Sequence, residues 1–283
     1  MNELLADLIR LIELERLEIN LFRGESRDIG SPQVFGGQVL GQALYAAYAT
    51  VEGRAVHSMH AYFLRRGDFN APIVYEVDRS RDGDSFTSRR VVAIQHGQQI
   101  FHMSASFQVD QSGPEYQVQA PDVTPPEALA DVRVEVLQHL DRMPPERRRY
   151  WSRERPFETR SVETLETVEA RPGVRHLWLR VIGRCPDDPV LHHCLLAYMS
   201  DYHLLETSTL PHGPSFRYGN VKLASIDHAM WFHRPFRIDE WVLYALVSPT
   251  TSGSRGLSFG RIFDRQGHLV ASTAQEGLMR RRT

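Results

Sequence analysis

The sequence predicts an α+β fold built twice in tandem, each unit an antiparallel sheet laid against one long helix. Three observations predict it. A helical stretch almost free of charge, VFGGQVLGQALYAAYATV, is followed by four strand-like segments between His57 and Val109, and one helix followed by antiparallel strands is the pattern of an α+β layer. The same succession returns after residue 156. Segments of the two halves also lie over each other: His60 to Arg66 over His228 to Arg234 at an offset of 168, Gly97 over Gly267 at 170, and the helix from Phe35 over that from His192 at 157. A duplication is the simplest source of such an internal repeat.

In chain order, residues 2 to 14 place Leu4, Leu5, Leu8, Leu11 and Ile12 at helical spacing, a short amphipathic helix. GESRDIGSPQ is a polar loop, and the small residues of the next helix suit burial on most sides. HSMHAYFL, PIVYEVDRS, SFTSRRVVAIQ and QIFHMSASFQV read as strands separated by GD, DGD and HGQ turns. Prolines 114, 121, 125, 126, 144, 145 and 156 mark a linker with a helical insert. The expected division is therefore a first unit over 1–110, a linker over 111–156 and a second unit over 157–283. In that second unit SVETLETVE and RHLWLRVIG read as strands. A helix follows from Val190 to Leu205, with Asp188 as its N-cap and Pro189 at its first position. KLASIDHAMWFHRPF, EWVLYALVSP, RGLSFGRIFDRQ and HLVASTAQEGLMR complete the second set of strands.

Composition narrows the function. Across 283 residues, 33 Lys plus Arg face 35 Asp plus Glu, a net charge of -2. The runs Arg147 to Arg149 and Arg280 to Arg282 read as solvated surface, so no nucleic-acid partner is expected. The two cysteines, Cys185 and Cys194, form no CxxC pair, and the histidines lack metal-ligand spacing, so neither a metal nor a cofactor is expected. The N-terminus lacks the features of a signal peptide, and no apolar run reaches 18 residues. A soluble cytoplasmic protein without a membrane span is expected.

The repeat serves as an internal control: a residue needed only for the shared fold should occur in both halves. His228 has His60 as its counterpart and reads as a packing histidine. Asp201, Ser225 and Gln275 lie over Leu44, His57 and Ala105, and so are private to the second half. Asp201 shares a helix face with Leu191, Cys194, Tyr198 and Leu205, which places a carboxylate on an apolar stripe. Such a group is either a site candidate with a shifted pKa or a core acid that bonds a backbone amide. Taken alone, Ser225 fits a satisfied core hydroxyl, and Gln275 an edge residue facing water.

The segments VFGGQVLGQALYAA, HAYFLRRGD, RDGDSFTSRRVVAIQ, SIDHAMWFHRPF and VASTAQEGLMR, in this order across nearly the whole chain, strongly resemble the acyl-CoA thioesterase II family. The resemblance implies a double hotdog fold, with each sheet wrapped around its helix. It also implies hydrolysis of fatty acyl-CoA by a water that an Asp, a Thr or Ser, and a Gln position together. Those family positions fall on Asp201, Ser225 and Gln275, with Ser225 standing where some relatives carry Thr. Acyl-CoA is then the expected partner, and an oligomer formed through sheet edges the expected assembly. Two alternatives stay open: a hotdog enoyl-CoA hydratase using Asp201 with His203, and an acyl-CoA-binding protein without catalysis. A GxSxG nucleophile elbow is absent, since GPSFRYG and GSRG miss its spacing.

Overall fold

The computed structural model describes residues 2–138, 145–163, 169–213 and 221–281. Helix α1 (Glu3–Ile12) starts where the Asn2 side chain accepts from the Leu4 and Leu5 amides, and it buries Leu5, Leu8, Ile9, Leu11 and Ile12. A hairpin follows, β1 (Glu15–Glu18) and β2 (Leu21–Gly24). It is not foreseen from the sequence because each strand is four residues long and β1 is exposed throughout, leaving no alternation to read. Next come α2 (Gly36–Tyr48), β3 (Ala55–Phe63), β4 (Ile73–Asp82), β5 (Phe86–Gln95) and β6 (Gln98–Gln108). The proline-rich stretch carries a 3-10 turn at Pro126–Ala128 and two short helices, α3 (Val132–Leu137) and α4 (Pro145–Ser152).

The second set consists of β7 (Phe157–Ser161), β8 (Val174–Val181), α5 (Pro189–Ser200), α6 (Leu204–Thr207), β9 (Val221–Ser225), β10 (Asp227–Phe232), β11 (Val242–Ser252), β12 (Arg255–Phe263) and β13 (Leu269–Arg281). The strand read over SVETLETVE is displaced: β7 ends at Ser161, where that reading began. Residues 164–168 of that segment, and most of GPSFRYG, lie outside the described residues.

The described strands form one sheet in the order β1-β2-β4-β5-β6-β3-β10-β13-β12-β11-β8-β7, with β9 added on β13. Read from its two ends, the order is symmetric, with β1 matching β7, β2 matching β8, and so inward to β3 and β10. These two strands join the halves as an antiparallel pair, from Asp227 opposite Tyr62 to Trp231 opposite Ser58. The tandem hotdog is thus a single continuous sheet curled around α2 and α5.

Those two helices run antiparallel at close range because their contact is built on glycine. A Cβ on Gly37 would stand 2.2 Å from the Tyr198 carbonyl oxygen, and one on Gly41 2.9 Å from that of Cys194. This contact sets the N-terminus of α2 beside the C-terminus of α5.

The structure corrects the register of the repeat. β4 and β11 begin 169 residues apart, as do β5 and β12, while α2 and α5 begin 153 apart. The offset of 168 used to pair His228 with His60 is therefore one residue off, and in a strand one residue moves a side chain to the opposite face. His60 is exposed and His228 is fully buried. At an offset of 169 the counterpart of His228 is the apolar Met59, so the ground for reading it as a shared packing residue is removed. In the helices, Asp201 lies over Tyr48 rather than Leu44.

Candidate active site

The corner where α5 ends brings together groups that sequence separates widely. Asp188 caps α5, its carboxylate accepting from the Val190 amide at 2.9 Å, with Pro189 at the first position as expected. The helix stops at Ser200 instead of running to Leu205. Ser200 Oγ donates back to the Ala197 carbonyl at 2.9 Å, and His203 takes the left-handed conformation at φ 66°, so the chain turns before α6. Asp201 becomes the C-cap. Every α5 residue from Leu191 to Ser200 is buried, so the expected apolar stripe does not single out Asp201; its place at the helix end does.

Its carboxylate meets the start of α2. The Gly37 backbone amide hydrogen-bonds to it, and a Cβ on Gly36 would lie 2.7 Å from Oδ2, so only glycine admits the acid this closely. Gln275, on the inward face of β13, donates from Nε2 to Asp201 Oδ1 at 2.7 Å, and Ser225 Oγ donates to the same oxygen at 3.4 Å. Gln275 Nε2 also stands 3.1 Å from Ser225 Oγ. Ser225 ends β9, and Ile226 interrupts the pairing before β10. The first half has a milder form of this break, a register shift between Val56 and Ser58 in β3. The interruption turns the Ser225 hydroxyl toward the helix end, and the Ile226 amide is kept satisfied by the Glu276 carbonyl at 2.9 Å.

Burial pushes the Asp201 carboxyl above the ordinary aspartate range, opposed in turn by Gln275, the Gly37 amide and Ser225. The residue keeps some exposed surface, yet its carboxyl is closely enclosed, and desolvation is the larger effect. Phe35, just before Gly36, lies 4.2 Å from the Tyr202 ring and 5.2 Å from that of Tyr198, so aromatic groups shield one side of the corner.

Neighbouring candidates point elsewhere. Asp227 faces outward and accepts from the Glu276 amide at 2.7 Å, while His228 faces inward, so the two form no dyad. His203, required by the hydratase alternative, turns Nδ1 toward Glu206 Oε2 and Arg175 Nη1, both at 3.4 Å. The Gly37 amide and the inward-facing His228 are the site groups that sequence reasoning missed. The true register of the repeat would have singled out His228.

Comparison with known proteins bears on the same elements. Residues 148–278 match the family described as acyl-CoA thioesterase, and residues 23–108 match the acyl-CoA thioesterase N-terminal domain. The chain is 42% identical to acyl-CoA thioesterase 2 of Haemophilus influenzae, covering 99% of each chain. It is similar to the crystal structure of an acyl-CoA thioesterase II, TesB2, from Mycobacterium marinum, with 41% identity, a TM-score of 0.81, and coverage of 97% of this chain and 98% of the other. A hot dog fold protein of unknown function from Alicyclobacillus acidocaldarius shares the fold at 18% identity and a TM-score of 0.78, over 98% of this chain and 99% of that one. Fold and relatives together define a double hotdog hydrolase of acyl-CoA thioesters. The chain belongs to the acyl-CoA thioesterase II family.

Proposed function

We propose that the protein hydrolyses fatty acyl-CoA with Asp201 as general base on a water held by Ser225 and Gln275. The observation that carries this reading is one carboxylate oxygen, Asp201 Oδ1, reached by Gln275 at 2.7 Å and by Ser225 at 3.4 Å from separate strands. Asp201 takes a proton from the water, the water oxygen bonds to the thioester carbonyl carbon, and the tetrahedral intermediate collapses with loss of CoA thiolate. The thiolate takes up the proton, which leaves a fatty acid and CoA. The raised pKa of Asp201 supports its role, because a base works best when its pKa approaches the working pH. With Asp201 turned toward Gln275 and Ser225 rather than His203, the geometry favours hydrolysis over hydration.

Ser225 Oγ lies against the carboxylate, and no imidazole among the described residues bonds to it, which supports attack by water rather than through an acyl-serine. Free CoA release from acyl-CoAs of graded chain length tests the reading. Asp201→Asn should lower kcat by about 10²–10⁴-fold, and full activity in that variant removes Asp201 from the mechanism. Assembly through the sheet edges, β1 at one end and β7 at the other, belongs to the same proposal. Sedimentation of the intact chain reads it directly.

A further inference from the structure

His228 stands directly behind the site. It is fully buried on the inward face of β10, with Nδ1 3.2 Å from Gln275 Nε2 and Nε2 3.0 Å from Ser200 Oγ. The network fixes its tautomer. Ser200 Oγ already donates its single proton to the Ala197 carbonyl, so it can only accept from the ring. His228 Nε2 therefore carries the hydrogen, and Nδ1 is left as an acceptor. Burial pushes the imidazole pKa down to about 3, so the ring stays neutral wherever the enzyme works and takes no part in proton transfer.

The carboxamide nitrogen of Gln275 has two hydrogens and faces three acceptors: Asp201 Oδ1, Ser225 Oγ and His228 Nδ1. The carboxylate takes one as a charge-assisted bond at 2.7 Å. If the other went to Ser225, it would take one of the two lone pairs of that hydroxyl and compete there with the attacking water. Oε1 of the same carboxamide is buried and has no hydrogen-bond partner among the described residues.

We propose that His228 is a positioning residue for the hydrolysis, an inference that rests on the roles given above to Asp201, Ser225 and Gln275. By accepting the second Gln275 hydrogen it holds the carboxamide in one orientation, so that Ser225 Oγ or Gln275 Oε1 can accept the one water hydrogen that does not go to Asp201. Ser200, at the end of α5, locks the ring and thereby couples the helix end to β13. At offset 169 the first half has Met59 in this place, so the residue is private to the half that carries Asp201.

The test compares His228→Asn with His228→Gln. The oxygen of Asn can occupy the place of Nδ1 and keep the bond to Gln275, whereas that of Gln reaches the place of Nε2 and loses it. His228→Asn should retain kcat within about threefold, and His228→Gln should lose about tenfold at unchanged KM. Ser225→Ala should cost less in the His228→Gln background than in the wild type, because there the second Gln275 hydrogen already competes with the water for that hydroxyl. Equal kcat in the two His228 variants, or strictly additive losses, overturns the proposal. If Asp201→Asn remains fully active the underlying mechanism fails, whereas an inactive Asp201→Asn beside equal His228 variants sinks the positioning role alone. Thermal unfolding of each variant separates loss of fold from loss of rate.

Discussion

Replacing Gln275 with Leu removes the shortest hydrogen bond to Asp201 while keeping a side chain of similar length in the core. Gln275 is fully buried and its bond to a carboxylate is 2.7 Å long, so solvent screens it little. A charge-assisted bond of this kind contributes about 1.5–3 kcal/mol, which corresponds to about 10–150-fold in kcat/KM. The same energy acts on the acid itself. Gln275 is the foremost of the groups that lower the Asp201 pKa against desolvation, so without it the carboxyl should climb further. The sign follows from the carboxylate being the working form: the acidic limb of kcat/KM moves to higher pH in Gln275→Leu, and part of the lost activity returns as pH is raised.

Stability shifts in the corresponding direction. The folded-state pKa already lies above the unfolded one, so ionising Asp201 lowers stability as pH rises through that interval, and the substitution widens it. Thioester absorbance read directly across pH gives both rate and limb without a thiol reagent. A fall in rate with the limb unmoved, or moved to lower pH, would refute the assignment of Asp201 as a base tuned by Gln275.

Three other outcomes follow from the same contacts. The bond from Ser225 is long at 3.4 Å, so Ser225→Ala should lower kcat by only about 2–10-fold, and Ser225→Thr, which keeps the hydroxyl on a stiffer side chain, should stay near wild type in the same steady-state assay. Gly36→Ala and Gly37→Ala, adjacent in sequence, should separate. The first directs a methyl at Asp201 Oδ2, and kcat should drop by up to about 10²-fold with little loss of fold. The second meets the Tyr198 carbonyl, so it should cost about 1–3 kcal/mol or more in chemical denaturation. Arg89→Met should lower stability by about 2–4 kcal/mol without changing kcat of the folded enzyme, since this buried guanidinium donates to Thr50 Oγ1 and to the Thr50, Arg81 and Ser88 carbonyls. Its pairing with Asp82 adds little because that carboxylate is largely exposed.

The order of helix and strands, the cap at Asp188 and the private status of Asp201, Ser225 and Gln275 are legible because each rests on local pattern or residue type. The end of α5 is not, because apolar residues continue through Leu205 and the stop depends on a Ser200 back-bond and a left-handed His203. Register is the other loss. Strand offsets of 168 and 169 look equally good in a sequence, yet only partner strands decide which face turns inward. That single residue separates an exposed His60 from a buried His228. The Gly37 amide is invisible for a related reason: it acts through backbone that has no identity until α2 and α5 are packed.

The doubled fold offers two equivalent helix ends, and their polar groups are disposed in opposite ways. At the first, Tyr48 stands where Asp201 does in the second. Its hydroxyl accepts from the Val56 amide at 2.8 Å and meets His193 Nδ1 at 2.8 Å. Burial drives the phenol above its ordinary pKa and the imidazole down to about 4, so neither supplies a charged base, and the two occupy each other. Ala105 lies in the place of Gln275, and Arg89, in the place of Ser258, is fully engaged with the Thr50 turn. At the second end, Gln275 Oε1 and Oγ of its cross-strand neighbour Ser258 are buried without hydrogen-bond partners among the described residues, beside a carboxylate held above its usual pKa. Buried polar atoms are nearly always paired, so a corner that satisfies its own groups contributes stability, and one that leaves acceptors open beside a raised acid is arranged for something that arrives. The same sheet therefore carries a structural corner in one half and, on the proposed mechanism, the hydrolytic one in the other, and the difference lies in which polar groups are left without an internal partner.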